Sequence, residues 1–75
     1  ESFIEQYLRA DVADSVRVAV NTLPEKYRDV ITLYYFDDLS YEEVSKTLHV
    51  PINTVRTHLK RAKEQLKKII PYENY

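Results

Sequence analysis

The sequence predicts an all-α fold: a four-helix bundle (three to five helices) containing a helix-turn-helix of the winged-helix-like kind, without the wing. The chain has 75 residues, enough for one small domain, and a helical bundle is the fold most easily stabilised at this size. Apolar residues recur at helical spacing in successive segments. Glycine and cysteine are both absent, which excludes Gly-rich phosphate loops, disulfides and thiolate metal sites.

We expect the domain to occupy residues 12–71. A linker or short N-terminal helix over residues 1–11 would precede it, and residues 72–75 would form a tail. The chain begins at Glu1 rather than Met, so we expect a fragment or processed product of something longer. No apolar run approaches the ~20 residues that a membrane span needs, and no signal-peptide pattern is present. We therefore expect no membrane insertion, and the absence of cysteine fits a reducing cytosol.

The first two predicted helices each carry one apolar face. The apolar face of the first helix comprises Val12, Val16, Ala19, Val20 and Leu23. The second helix is predicted to begin with Pro24, a residue suited to the first helical position, and to end at Asp37-Asp38. Near its end, the aromatic run Tyr34-Tyr35-Phe36 has two interpretations. It is either core and rim packing, or one of its tyrosines borders a DNA surface.

The stretch Leu39–Ala62 has the pattern of a helix-turn-helix. Ser40 is placed to cap a third helix, and Glu43, three residues on, completes a capping-box pattern. This helix is predicted to end at Leu48-His49. The turn His49-Val50-Pro51 is short, so the next helix must cross at a steep angle.

The fourth helix is predicted to start near Ile52 and to extend as far as Ile70. Its apolar stripe comprises Ile52, Val55, Leu59, Ala62, Leu66 and Ile69. The opposite face comprises Asn53, Thr57, Lys60, Arg61, Glu64 and Lys68. Taken alone, such a face is a solvated helix surface; the helix-turn-helix beside it favours a surface for nucleic acid.

Charge is divided unevenly along the chain. Residues 40–70 carry seven Lys/Arg against three acids, whereas residues 1–39 carry four Lys/Arg against eight acids. The net charge of −1 hides this difference. The uneven division of charge predicts a polyanion partner for the C-terminal half only.

An α-helix fits the major groove of double-stranded DNA, where all four base pairs differ in their hydrogen-bonding groups. A recognition helix needs polar donors in its first turns and cations farther along for phosphates. The candidate base contacts on the fourth helix are Asn53, Thr54, Arg56, Thr57, Lys60 and Arg61. Ser40 and Tyr41 are candidate phosphate contacts at the start of the third helix, and His58 is one at the groove edge.

An enzyme is the least favoured class. His49 and His58 are nine residues apart, one in a turn and one on a helix flank, and the nearby Glu42 and Glu43 belong to a cap. We therefore predict no catalytic residue, metal or cofactor. His58 is either a groove-edge residue or a partly buried packing residue.

Two pieces of the chain resemble region 4 of bacterial sigma factors of the extracytoplasmic-function type. They are LPEKYRDVITLYYFDDLSYEEVSKTL and VPINTVRTHLKRAKEQL, which lie within residues 23–66. The distinctive parts are Leu23-Pro24, Tyr27-Arg28, Leu39-Ser40-Tyr41-x-Glu43, Thr54-Val55-Arg56 and Arg61-Ala62. The segment TVRTHL alone is shared with LuxR-type response regulators.

The resemblance implies four helices ending in a helix-turn-helix that binds the promoter −35 element. It also implies attachment to the RNA polymerase core through the flap of the β subunit, a possible anti-sigma factor, and action in the bacterial cytoplasm. Thr54, Arg56, Thr57, Lys60 and Arg61 fall on the family's promoter-contacting positions, and Lys63 is implied as a phosphate contact. An upstream domain for the −10 region is expected before Glu1.

The chain departs from the family pattern at three places. His49 and Asn53 stand where the family commonly has glycine, and a left-handed conformation is costlier for His than for Gly. Tyr34 and Tyr35 stand where some relatives carry a basic residue near the end of the second helix. Two other interpretations stay open: a LuxR-type DNA-binding domain, and a helical protein-interaction module that does not bind DNA.

Overall fold

Helices account for most of the chain that the computed structural model describes, namely Ile4, Glu5, Leu8 and residues 14–69. The α-helices are α1 (Asp14–Asn21), α2 (Glu25–Ile31), α3 (Tyr41–Leu48) and α4 (Ile52–Ile69). A π-helical segment, Thr32–Phe36, continues directly from α2. No strand occurs within the described residues, and the all-α prediction is confirmed.

The core forms where α4 packs against α2 and α3, with α1 covering a further side. The buried apolar residues are Ile4, Leu8, Val16, Ala19, Val20, Leu23, Tyr27, Val30, Ile31, Val44, Val55, Leu59, Ala62 and Leu66. Burying one large aliphatic side chain contributes about 1.5–3 kcal/mol, so this cluster is the main source of stability. It also fixes which face of α4 is left exposed.

Most of the predicted N-terminal segment, residues 1–11, lies outside the described residues. Of that segment Ile4, Glu5 and Leu8 are described, and all three are helical. Ile4 and Leu8 are fully buried in the core. The predicted tail, residues 72–75, lies outside the described part, and so does the predicted boundary at residue 71.

The second helix differs from its prediction in two ways. Pro24 precedes the helix as its N-cap, with φ −53° and ψ 150°, so the helix begins at Glu25. The α-helical pattern stops at Ile31, and the chain continues as a π-helix in which the Asp37 N–H donates to the Thr32 carbonyl at 2.9 Å. The wider turn leaves all of Tyr34-Tyr35-Phe36 half-buried against the core, which confirms their packing role.

The predicted apolar stripe of α4 is correct in its middle and wrong at its end. Val55, Leu59, Ala62 and Leu66 are buried, but Ile52 is only half-buried and Ile69 is 46% exposed. Helical periodicity assigns a face to a residue, whereas burial also requires a neighbouring element at that height along the helix. Within the described part of the chain, the neighbouring elements cover Leu66 but leave Ile69, nearly one turn beyond it, exposed.

Candidate nucleic-acid interface

The start of α3 is fixed by a complete capping box. The Glu43 N–H donates to the Ser40 hydroxyl at 3.1 Å, and the Ser40 N–H donates to the Glu43 carboxylate at 2.9 Å. Hydrogen bonds from the Ser40 backbone N–H and from its hydroxyl to the Glu43 carboxylate lower the pKa of Glu43, because they favour its ionised form. The predicted cap is confirmed, and it leaves Ser40 exposed at the helix start.

The turn between α3 and α4 is made without glycine. His49 takes the left-handed conformation, with φ 59° and ψ 43°. The Val50 N–H donates to the Ser45 carbonyl at 3.1 Å, and the Ser45 hydroxyl donates to the Val50 carbonyl. These bonds satisfy backbone groups that the helix end leaves open. Pro51 follows, and α4 starts at the next residue.

The polar face of α4 is exposed as the sequence predicts. Asn53, Arg56, Thr57, Lys60 and Arg61 are exposed along it, and Thr54 is half-buried at its start. The buried stripe holds the opposite side of the helix against the core. Five of the six candidate base contacts therefore face solvent together, within three helical turns.

Tyr41, a candidate phosphate contact, lies between two other side chains. Its ring stacks on Tyr34, with ring centroids 4.9 Å apart and an interplanar angle of 28°, and the Arg56 guanidinium carbon lies 5.6 Å from its centroid. Burial and a hydrogen bond to Tyr34 raise the pKa of the Tyr41 phenol. Sequence reasoning missed this arrangement, since residues 34 and 41 belong to different helices and no single-helix periodicity relates them.

His58, the candidate groove-edge residue, is half-buried against Tyr27. The two rings meet edge to face, with centroids 5.6 Å apart. Burial, with smaller contributions from the positive charges of Lys26 and Arg61, lowers the pKa of His58. The Lys26 ammonium also lies over the Tyr27 ring, 5.2 Å from its centroid. Of the two interpretations of His58, the structure favours the packing one.

Lys63, the remaining candidate phosphate contact, already has an anionic partner. Its ammonium lies 3.5 Å from the Glu5 carboxylate, and both side chains are 25% exposed. This ion pair connects α4 with the N-terminal segment of the chain. To contact a phosphate, the Lys63 ammonium would have to break its ion pair with Glu5 or bind the phosphate and the Glu5 carboxylate at the same time.

Other kinds of site find no support in the residues that the structure describes. Among them, no group of three or more His, Cys, Asp or Glu is arranged to hold a metal ion. No helix in the same residues is long and apolar enough to cross a membrane.

The capped α3, the tight turn and the exposed polar face of α4 define a helix-turn-helix domain. Comparison with known families gives a match over residues 13–66 to the family described as Sigma-70, region 4. The match covers more than half of the chain. The chain therefore belongs to the sigma-70 region 4 family, in its extracytoplasmic-function branch, and not to the LuxR type. Sigma factors are not a class of enzymes.

Several curated sigma factors are similar to this chain. The ECF RNA polymerase sigma factor SigW of Bacillus subtilis is 38% identical over 58 residues, which cover 77% of this chain and 31% of that protein. The RNA polymerase sigma-H factor of Pseudomonas aeruginosa is 35% identical over 63 residues, 84% of this chain and 33% of that protein. The ECF RNA polymerase sigma-E factor of Escherichia coli is 43% identical over 47 residues, 63% of this chain and 25% of that protein.

The chain thus spans about a third or less of the length of these relatives. No solved structure matches it.

Proposed function

We propose that this domain recognises the −35 element of bacterial promoters through the exposed face of α4. In this proposal α4 lies in the major groove of double-stranded DNA, and the domain docks on the RNA polymerase core, through the flap of the β subunit, to direct transcription initiation in the cytoplasm. The observation that carries the proposal is the run of exposed donors on α4 in a chain of the sigma-70 region 4 family.

The proposed base contacts lie in the first three turns of α4. Arg56 and Arg61 have planar guanidinium groups that match the acceptor pair of guanine, and Asn53 matches adenine. Thr54, Thr57 and Lys60 complete the proposed set. Ser40, Tyr41 and Lys63 are proposed phosphate contacts, which fix the register of the helix without reading sequence. His58 is left out of this set because its ring is half-buried against Tyr27.

The protein partners are proposed for the acidic half of the chain. Two large hydrophobic side chains are exposed among the described residues, Val18 (61%) on α1 and Ile69 (46%) at the end of α4. Val18 lies in the half whose charge disfavours DNA, so it is the better candidate for a contact with the polymerase core or with an anti-sigma factor.

The decisive experiment is transcription by core RNA polymerase with the full-length protein that carries this domain, on a promoter library randomised at the −35 element. Arg56→Ala should cost about 1–3 kcal/mol on the preferred sequence and relax selectivity at one base pair. Lys68→Ala is the matched control, because Lys68 is an exposed cation of the same helix outside the proposed base-reading set.

Two outcomes would change the proposal. An equal loss on every sequence for Arg56→Ala would make Arg56 a phosphate contact. If the wild-type protein showed no selectivity at the −35 element, the interaction-module interpretation would replace this one.

The docking proposal has its own test. Val18→Ser should weaken binding of the full-length protein to the polymerase core and leave its ranking of −35 sequences unchanged. Ile69→Ser removes the other exposed hydrophobic side chain and serves as the control. Equal effects of both substitutions would argue against a contact at α1.

A further inference from the structure

The side chains of Tyr34, Tyr41 and Arg56 lie next to one another beside the first turns of α4 and form what we call the tyrosine–arginine cluster. The rings of Tyr34 and Tyr41 lie 4.9 Å apart at 28°, and the Arg56 guanidinium carbon lies 5.6 Å from the Tyr41 centroid. The ring of Tyr35 meets that of Tyr34 edge to face at 4.9 Å. The three members of the cluster come from the π-helical segment, from α3 and from α4, so the cluster connects three elements.

The middle member of the cluster, Tyr41, is held in place both by its backbone and by its side chain. Tyr41 is the first residue of α3, directly after the Ser40 cap, so its backbone position is set by the capping box. Its side chain is half-buried and hydrogen-bonded to that of Tyr34. Tyr34 in turn packs against the core. The Tyr41 ring is therefore a fixed surface beside the exposed, many-rotamer side chain of Arg56.

The same three side chains help to line a cleft between the start of α3 and the start of α4. The residues around it are Tyr34, Ser40, Tyr41, Glu42, Ile52 and Arg56. Arg56 is exposed at the edge of this cleft. When a guanidinium rests with its face on an aromatic ring, its N–H donors still point outward in the plane of the group, where an acceptor can reach them.

We propose that Tyr41 is a positioning residue for Arg56, and that its ring orients the guanidinium for base recognition before DNA binds. The inference rests on the proposed function. Ordering a long side chain on binding costs conformational entropy, and a side chain held beforehand avoids part of that cost. The hydroxyl of Tyr41 has a separate role, as donor to Tyr34 or to a phosphate, so ring and hydroxyl can be tested separately.

The test compares Tyr41→Leu with Tyr41→Phe in the full-length protein assembled with core RNA polymerase, on the −35 promoter library. A cation–π contact at an exposed site predicts a loss of about two- to five-fold for Tyr41→Leu on the preferred sequence. The loss should be concentrated at the base pair where Arg56→Ala relaxes selectivity. Tyr41→Phe keeps the ring, and selectivity at that base pair should be retained even if binding weakens equally on all sequences.

Combining substitutions separates positioning from a general structural effect. In an Arg56→Ala background, Tyr41→Leu should produce no further loss of selectivity, because the group that it positions is gone. Thermal unfolding of each variant checks that the domain is folded. If Tyr41→Leu does not fold, Tyr41→Gln removes the ring while keeping a polar side chain of good helix propensity.

The inference is overturned if Tyr41→Leu weakens all promoter sequences equally, or if its effect on selectivity adds in full to that of Arg56→Ala. These results leave the proposed function intact provided that the wild-type protein selects −35 sequences and Arg56→Ala relaxes that selection. Failure of the proposed function is a different result, namely no −35 selectivity in the wild-type protein.

Discussion

His58 on α4 meets Tyr27 on α2 edge to face, with ring centroids 5.6 Å apart. This contact joins the proposed recognition helix to the helix beneath it. An edge-to-face pair of this kind adds about 0.5–1.5 kcal/mol beyond the area that it buries. Because burial and the nearby charges of Lys26 and Arg61 disfavour the imidazolium, the pKa of His58 lies below its ordinary value of 6.5.

The first prediction concerns stability against pH. As the pH falls below about 6.5, histidine in the unfolded chain takes up a proton before His58 does in the folded domain, so folding loses stability until the folded pKa is also passed. Urea unfolding of the domain at about pH 7.5 and about pH 5.5 measures this loss. His58→Gln should show a smaller loss than the wild type. An equal loss in both would assign the effect to groups other than His58.

The second prediction concerns the Lys63–Glu5 ion pair. Both side chains are partly exposed, so the pair contributes at most about 1 kcal/mol to stability, and Glu5→Gln should destabilise the domain only slightly. The same substitution frees Lys63 for a phosphate. The salt dependence of promoter binding by the polymerase complex should then steepen by up to about 0.9 in its logarithmic slope.

Glu25→Gln is the control for this prediction, because it changes the net charge equally at an exposed residue of α2. A similar steepening in Glu25→Gln would show that net charge, rather than the release of Lys63, is responsible. An unchanged slope in Glu5→Gln would remove Lys63 from the proposed phosphate contacts.

Predictions from the sequence were correct where one local pattern decides the structure. The capping box at Ser40 and Glu43 is a pattern of four residues, and it is present as predicted. His49 stands where the family pattern commonly has glycine, and the left-handed conformation that glycine would favour is found there. The middle of the α4 stripe is set by periodicity, because the helix is long enough for one face to be unambiguous.

Features that depend on two elements were not predictable in the same way. The π-helical turn after Ile31 interrupts the α-helical period, and Tyr34, Tyr35 and Phe36 are all half-buried against the core, which a period of 3.6 does not predict. The contact of Tyr41 with Arg56 joins residues on two different helices, and the predicted crossing of α3 and α4 does not by itself say which side chains meet. The exposure of Ile69 likewise depends on where the neighbouring helices end.

The third prediction concerns the left-handed residue in the turn. A non-glycine residue in this conformation destabilises the folded state by about 1–2 kcal/mol. Replacing it with glycine removes this strain, but the greater conformational entropy of glycine in the unfolded chain offsets part of the gain. His49→Gly should therefore stabilise the domain by about 0.5–1 kcal/mol, visible as a rise of a few degrees in the thermal midpoint. His49→Val should destabilise it, because a β-branched residue is least suited to positive φ.

Asp38, with φ 61°, provides an internal comparison, since Asp38→Gly should also stabilise the domain. If His49→Gly lowered the midpoint while Asp38→Gly raised it, the His49 side chain would have a stabilising role that backbone conformation does not explain.

The last prediction concerns the cap of α3, which holds Tyr41 at the edge of the proposed interface. Ser40→Ala removes the acceptor for the Glu43 N–H and should lower the free energy of unfolding by about 1 kcal/mol. Ser40→Asp keeps an acceptor at the same place and should restore most of the loss.

Since the pKa of Glu43 is lowered in the folded domain, the contribution of its carboxylate is present above the ordinary pKa of glutamate and is lost as the pH falls through the folded value. Urea unfolding of wild type and Glu43→Gln from neutral to acid pH measures that loss, which should be smaller in Glu43→Gln. A wild-type midpoint no more sensitive to acid than that of Glu43→Gln would show that the carboxylate adds nothing to the cap beyond the Ser40 hydroxyl.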